Sequence, residues 1–365
     1  MKKEVDKIFL WIVVFLALGG FFLFISASMG LFARETGARF MATAFNQFFY
    51  GLFLGSIFLT ILSKVNYKIW RKYSFYIFIF SLLLTASVFI PGIGFSHGGA
   101  IRWLSFGIFS FQPAEILKFG VIIYLAALFS DAKSGVRTIK WGIAPLVAVL
   151  FLSGTVLLLQ PDSGTFFVIF ITSISIFIIA GSRWSHLISM FAAACFGFLL
   201  YIASKPYILE RLKTFFDPTY DIMGAGWQLN QSLIAIGSGN IFGKGFGQSI
   251  QKFNFLPEPT SDSIFAVASE EFGFIGGIII IFFFIFFLLR GLSIARKSSD
   301  MFGRLVVSGI VIMTVFQAFI NIASMMGVFP LTGIPLPFIS HGGTALMITL
   351  AEMGIVLNIS RYARI

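Results

Sequence analysis

Long apolar runs separated by short polar breaks fill nearly the whole chain, and this pattern predicts ten membrane-spanning helices. The runs fall at 8–28, 46–62, 73–90, 114–130, 141–159, 164–180, 186–204, 263–289, 304–326 and 342–358. A helix needs about 20 predominantly apolar residues to cross the hydrocarbon of a bilayer, and it satisfies its own backbone there. One stretch departs from the rhythm. From Lys205 to Asp262 the chain is rich in Gly, Asn, Gln and charge, before Leu256-Pro257-Glu258-Pro259-Thr260-Ser261-Asp262-Ser263-Ile264 leads into the next run. The expected fold is an all-α integral membrane protein. It would be a single polytopic domain over residues 1–365, with one long extracytoplasmic loop, 205–262, between spans seven and eight.

Composition agrees, since 58% of the 365 residues are hydrophobic and 11% are charged, against roughly 25% charged in a soluble domain. A net charge of +11 would suit nucleic acid, but its distribution does not. With the N-terminus in the cytoplasm, inner segments collect 17 of the 26 basic residues, among them Lys2, Lys3, Lys68, Arg71, Arg137, Arg290, Arg361 and Arg364. Eleven of the 15 acids lie elsewhere. The basic excess sets orientation, and no nucleic-acid partner is expected. An even number of spans puts the C-terminus in the cytoplasm as well. The basic Met1–Lys7 head and Ser26-Ala27-Ser28 resemble a signal peptide. An uncleaved first span is preferred, because the run is long and its loss would upset the charge topology. Cys195 stands alone, which excludes an intrachain disulfide, and His97, His186 and His341 show no ligand spacing.

Asp262 is the first candidate for chemistry. It can cap the helix that follows, or, with Glu258 four residues upstream, act as a general base or share a cation. Glu270 and Glu271 lie about two turns further on, where ionisable groups in lipid normally face a bundle interior or cavity. Glu115 and Lys118 share a helical face and can pair. Their alternative is a cationic role for Lys118, with Arg102, toward an anionic substrate. Asp162 sits in Gln160-Pro161-Asp162-Ser163-Gly164, ordinary turn chemistry. Gly237 to Gly247, with Lys244, looks like a phosphate cradle but lacks P-loop spacing. A mobile packing segment is the expectation there, although its N–H groups and Lys244 can meet a diphosphate.

These residues resemble the SEDS family (shape, elongation, division and sporulation) of bacterial cell-wall proteins, from the first span to the last. The resemblance is carried by Ile101-Arg102-Trp103 with Phe111-Gln112-Pro113-Ala114-Glu115-Ile116-Leu117-Lys118, by Leu159-Gln160-Pro161-Asp162-Ser163-Gly164-Thr165, and by Gly226-Trp227-Gln228-Leu229-Asn230-Gln231-Ser232 with Ala235-Ile236-Gly237-Ser238-Gly239. Leu256 to Asp262, Glu270-Glu271 and Gly333-Ile334-Pro335-Leu336-Pro337-Phe338-Ile339-Ser340 complete it. Gln251-Lys252-Phe253 and Leu357-Asn358-Ile359-Ser360-Arg361 look more like the division branch than the elongation branch. The resemblance implies a peptidoglycan glycosyltransferase that polymerises lipid II on the outer face of the bacterial cytoplasmic membrane, with the division septum as the expected site for its branch. It maps the family's catalytic aspartate to Asp262, with supporting roles at Arg102, Glu115, Lys118 and Asp162. It also implies a class B penicillin-binding protein as transpeptidase partner, alongside other division proteins. Where the family often has His-Thr before that aspartate, this chain has Thr260-Ser261. Chemically, Asp262 would take the proton of a sugar 4-hydroxyl. Arg102, Lys118, Lys244 or a divalent cation (Mg or Mn, at Asp262 and Glu258) would offset the charge of the departing diphosphate. No organic cofactor is expected. A lipid II flippase and a non-catalytic division scaffold are the competing expectations.

Overall fold

The computed structural model describes residues 4–31, 37–97, 100–105, 110–204, 206–217, 223–224 and 226–363. Lys2, Lys3, Arg34, Lys205 and Arg364 lie outside the described residues. Eight helices among those described are long and apolar enough to cross a membrane. They are α1 (Lys7–Ser28), α2 (Phe40–Leu62), α3 (Lys68–Phe89), α4 (Pro113–Arg137), α5 (Ile139–Leu159), α10 (Ile264–Lys297), α11 (Met301–Met325) and α12 (Gly343–Ser360). The sixth and seventh expected spans fall on α6 (Ser163–Ile179) and α7 (Trp184–Ser204). The stretch expected to be loop carries two further helices, α8 (Pro206–Phe216) and α9 (Trp227–Ser238).

The centre of the bundle is α11, with Leu305, Val306, Val307, Ile310, Val311 and Ala318 fully buried. A side chain at Gly309 would meet Ile122 of α4 and Ile176 of α6 at 2.8 and 2.9 Å, so the absence of one lets three helices converge. Trp11, Tyr76, Phe151 and Phe282 point outward instead, the arrangement of a bundle solvated by lipid. That explains much of the Phe content without a functional role. The first span belongs to this core: Phe9, Val13 and Phe24 are fully buried, and α1 packs on α10.

Two features go beyond the helices that the apolar pattern predicts. Between α3 and α4 the chain folds into a small antiparallel sheet, β1 (Gly94–His97), β2 (Ala100–Ser105) and β3 (Ser110–Phe111), in that order. The second is a break in α10 at Gly273 (φ 67°, ψ −163°). There the helix loses hydrogen bonds, and the Gly-rich segment replaces them. Phe274 and Ile275 N–H donate to the carbonyls of Asn240 and Ile241 at 2.8 and 3.2 Å, while Lys244 and Gly245 N–H donate to those of Glu270 and Glu271 at 3.0 and 2.9 Å. Gly243 has φ +81°, and a Cβ there would lie 2.1 Å from the Glu271 carbonyl oxygen. The segment expected to be mobile is thus docked into the broken helix. Gly239 and Gly243 serve close backbone approach, to the Ser269 and Glu271 carbonyls.

Candidate active site

Asp262 lies at the end of the bundle where the polar connections gather, two residues before the start of α10. Ser263 occupies the helix-capping position, so the Asp262 carboxylate is not the cap. A turn about Glu258 (φ 44°) shapes the approach, with Ser261 and Ser263 N–H donating to the Glu258 carbonyl. The 330–342 connection then grips this turn from the other side. Ser340 Oγ donates to the Ser261 carbonyl, and His341 N–H to that of Thr260 at 2.7 Å. Asn321 of α11 ties the two together, its Nδ2 donating to the carbonyls of Asp262 (2.7 Å) and Ile334 (2.8 Å).

The carboxylate itself is held from α9, where Gln228 Nε2 donates to Asp262 Oδ2 at 3.1 Å. Oδ1 is buried with no hydrogen-bond partner among the described residues. Burial raises the Asp262 pKa to about 6, opposed by the Gln228 hydrogen bond and reinforced by the charge of Glu258; Arg211 of α8 pulls in the lowering direction. A carboxyl that titrates near neutrality and offers one free oxygen can serve as a general base.

Arg102 and Asp162 belong to the same end. Arg102, from β2, donates through Nε to the Gln160 carbonyl at 3.3 Å and through a terminal nitrogen to that of Pro161. It therefore shapes the turn that carries Asp162. Asp162 caps α6 by accepting from Thr165 N–H at 3.3 Å, as a turn residue would, and its Oδ2 is buried without a partner among the described residues. The turn abuts the 330–342 connection, since a Cβ at Gly164 would lie 2.7 Å from Ile334. Arg102, Asp162, Glu258 and Asp262 are in this way gathered around one strap of chain.

The remaining candidates are engaged elsewhere. Lys118 pairs with Glu115 at 2.9 Å, both side chains buried, and donates to Gln317 Oε1 at 2.8 Å. Gln317 Nε2 in turn holds the Pro335 carbonyl at 2.9 Å, so the pair reaches the strap through one intermediary. A cavity of about 20 Å³ lies between Glu115, Gln317, Pro335, His341 and Thr349. Lys244 is 2.6 Å from Glu270, which also accepts from Ser249 Oγ. Glu271 receives Lys252 at 2.7 Å and Ser26 Oγ. These two glutamates thus secure the loop to the α10 break and do not face Asp262.

Sequence reasoning takes in Gln228 and Lys252 only as part of family motifs and gives no role to them, nor to Asn321, Gln317, Arg211 and Glu352. Gln317 and Asn321 carry the clearest signal: two amides one helical turn apart in an apolar span belong on its inward face. Glu352 is buried on α12, near Lys118 and Glu115. Among the described residues no group of three or more His, Cys, Asp or Glu is arranged to hold a metal ion.

Comparison with known proteins places this architecture among cell-cycle proteins. A model of the FtsW/RodA/SpoVE family, described as "Cell cycle protein", matches residues 7–365. Stage V sporulation protein E of Bacillus subtilis is 38% identical over 311 residues, covering 85% of each chain. The probable peptidoglycan glycosyltransferase FtsW of Aliivibrio salmonicida is 35% identical over 367 residues, spanning 100% of this chain and 91% of that one. Among solved structures, a chain from a study of polymerization and crosslinking by a peptidoglycan synthase complex superposes with a TM-score of 0.80 at 26% identity, covering 98% of both chains. The crystal structure of the rod shape determining protein RodA of Thermus thermophilus superposes with a TM-score of 0.70 at 25% identity, over 98% of this chain and 97% of that one.

Proposed function

The chain belongs to the FtsW, RodA and SpoVE family, and on that footing we propose that it is a peptidoglycan glycosyltransferase that polymerises lipid II, with Asp262 as general base. The observation that carries the assignment of the base is the state of its two oxygens. Gln228 occupies Oδ2, while Oδ1 is buried and unpartnered among the described residues. A buried acceptor without a donor is costly, and the cost is met when a substrate hydroxyl arrives.

The 4-hydroxyl of the acceptor sugar gives its proton to Oδ1 as its oxygen bonds to the anomeric carbon of the donor. The bond from that carbon to the lipid diphosphate breaks, and the diphosphate leaves with the electron pair. Both lipid tails stay in the bilayer, which suits a base at a helix end. Arg102 and Arg211 bring positive charge to this end, whereas Glu115 and Glu270 neutralise Lys118 and Lys244. As the alternative to base work at that carboxylate, Asp262 and Glu258 would share a divalent cation, Mg or Mn, leaving its other positions to phosphate and water. Bound there, it would supply Lewis-acid stabilisation of the leaving diphosphate.

The working assembly includes a class B penicillin-binding protein as transpeptidase, with other division proteins, in the bacterial cytoplasmic membrane at the septum. Its support is the fold shared with a chain of a peptidoglycan synthase complex and the identity to relatives named FtsW. The test is polymerisation of labelled lipid II by the purified protein, with and without its transpeptidase. Asp262→Asn should lose on the order of 10² to 10⁴ in rate while remaining folded. Wild-type polymerisation by folded Asp262→Asn would refute the assignment.

A further inference from the structure

Resting on the reading of Asp262 as base, we propose that Gln228 is a positioning residue for polymerisation, fixing one carboxylate oxygen of Asp262 so that the other faces the acceptor hydroxyl. Gln228 is the second residue of α9. Its Nε2 lies 3.1 Å from both Asp262 Oδ2 and Ser263 Oγ. An ionised carboxylate only accepts, so the amide must present its nitrogen there, and its two hydrogens find two acceptors. The main chain of Asp262 is already fixed through Asn321. What remains free is rotation of the carboxyl group about its own bond, and the Gln228 contact removes it.

Gln228 is itself held firmly. Trp227 Nε1 donates to the Phe255 carbonyl at 2.9 Å, which ties the start of α9 to the approach of the Asp262 turn. Ser232 Oγ donates to the Gln228 carbonyl at 2.8 Å and contacts Met325 Sδ at 3.4 Å, which fixes α9 against α11. The charged groups facing Asp262 are Glu258, on its own approach, and Arg211 from α8. Among the described residues the amide is the neutral side-chain donor to the carboxylate. Without it the carboxylate would be free to turn and would lose its aim. Gln228 reaches the reaction through Asp262.

The experiment is lipid II polymerisation as a function of substrate concentration for wild type, Gln228→Met, Gln228→Asn and Asp262→Asn, purified in complex with the transpeptidase. Removing a hydrogen bond to a charged group should lower kcat roughly ten- to hundredfold in Gln228→Met and leave KM within about twofold. Gln228→Asn keeps the amide but falls one methylene short. It should shift the same way by less, and it gives the readout if the Met variant does not fold. A kcat that matches wild type in either folded variant, or a change confined to KM, would overturn the role of Gln228. If Asp262→Asn is inactive while the Gln228 variants match wild type, only this inference fails. If Asp262→Asn polymerises normally, the base assignment fails first.

Discussion

Replacing Lys252 by methionine should cost about 3–5 kcal/mol of stability, and adding Glu271→Gln should return most of it. The structure fixes both signs. Lys252 is 0% exposed and Glu271 1%; the ammonium lies 2.7 Å from Glu271 Oε1 and 3.2 Å from Ser26 Oγ. Methionine keeps most of the length of the stem, so the cavity left is small and the transfer term minor. What the substitution leaves is a buried carboxylate whose side-chain donor, among the described residues, is the Ser26 hydroxyl. That hydroxyl carries one proton, and it cannot offset the loss of an ammonium. Neutralising the carboxylate removes the cause. A glutamine amide in its place still accepts from Ser26, and its own hydrogens face the apolar methionine stem at a much lower cost. The cycle of four proteins can be unfolded chemically in mixed micelles and followed by tryptophan fluorescence. Because Lys252 also anchors the loop near the α10 break, polymerisation should fall and recover in step with stability. A single Lys252→Met variant within about 1 kcal/mol of wild type, or a double variant as unstable as the two singles summed, would refute the reasoning.

Three further outcomes follow from the same structure. Gly243→Ala should destabilise by about 1–3 kcal/mol, because its φ is +81° and a Cβ would meet the Glu271 carbonyl at 2.1 Å; Gly237→Ala, in α9 with nothing within 4 Å of the new methyl, should be neutral or mildly stabilising in the same unfolding assay. Lys118→Met should destabilise by leaving Glu115 unpaired, and Glu115→Gln with Lys118→Met should recover folding and polymerisation together; a folded but inactive double variant would assign Lys118 to the diphosphate. Asp262 titrates at about 6, so polymerisation should rise with pH through that value as the base ionises. Since the folded pKa lies above the unfolded one, this carboxyl costs stability as pH rises from its unfolded pKa, about 4, through its folded one. Asp262→Asn should therefore gain stability relative to wild type at about pH 8 compared with about pH 4.

What can be read from the chain depends on whether a residue's role is local. Apolar runs announce their helices because lipid allows few alternatives, and Asp162 announces its turn because Pro-Asp-Ser-Gly is a local signal. The α10 break is not legible. Gly273 lies in a long apolar run beside Gly276 and Gly277, and the backbone groups its break exposes are satisfied by the Asn240 to Gly245 segment, well upstream. For the same reason the 237–247 glycines read as a mobile segment, although the close contacts of Gly239 and Gly243 belong to a docked one. Lys244 and Glu270 both stand out in the sequence, but their separation hides that they pair. Asp262 is evident as a candidate while its partner is not: Gln228 lies 34 residues upstream, and the fold brings α9 across the start of α10.

The two ends of the bundle differ in a way that bears on passage against surface chemistry. At the end away from Asp262, the junctions are closed by local pairs. Arg290 grips Asp6 through two nitrogens, at 3.0 and 2.6 Å, and Asp6 N–H donates to Ser360 Oγ at 3.0 Å. Tyr67 hydroxyl donates to Asp300, its N–H to Asn358, and Asn358 Nδ2 to the Ser63 carbonyl. These contacts tie α1, α10, α11, α12 and the α2–α3 connection into one lock. At the other end, Gln160 Oε1, Asp162 Oδ2, Asp262 Oδ1, Asn321 Oδ1 and Thr332 Oγ1 are all buried without partners among the described residues. Thr332 belongs to the 330–342 strap, and Asn321 bonds both to that strap at Ile334 and to the Asp262 carbonyl. A transporter must open toward both faces in turn around a site between its repeats, and would have to break the lock as a unit. A polymerase needs acceptor atoms only where two lipid-borne sugars meet. The free acceptor oxygens of Asp162, Asp262 and Asn321 fit the second requirement; away from Asp262, Ser182 Oγ, His186 Nδ1 and Arg361 Nε are also buried without partners among the described residues.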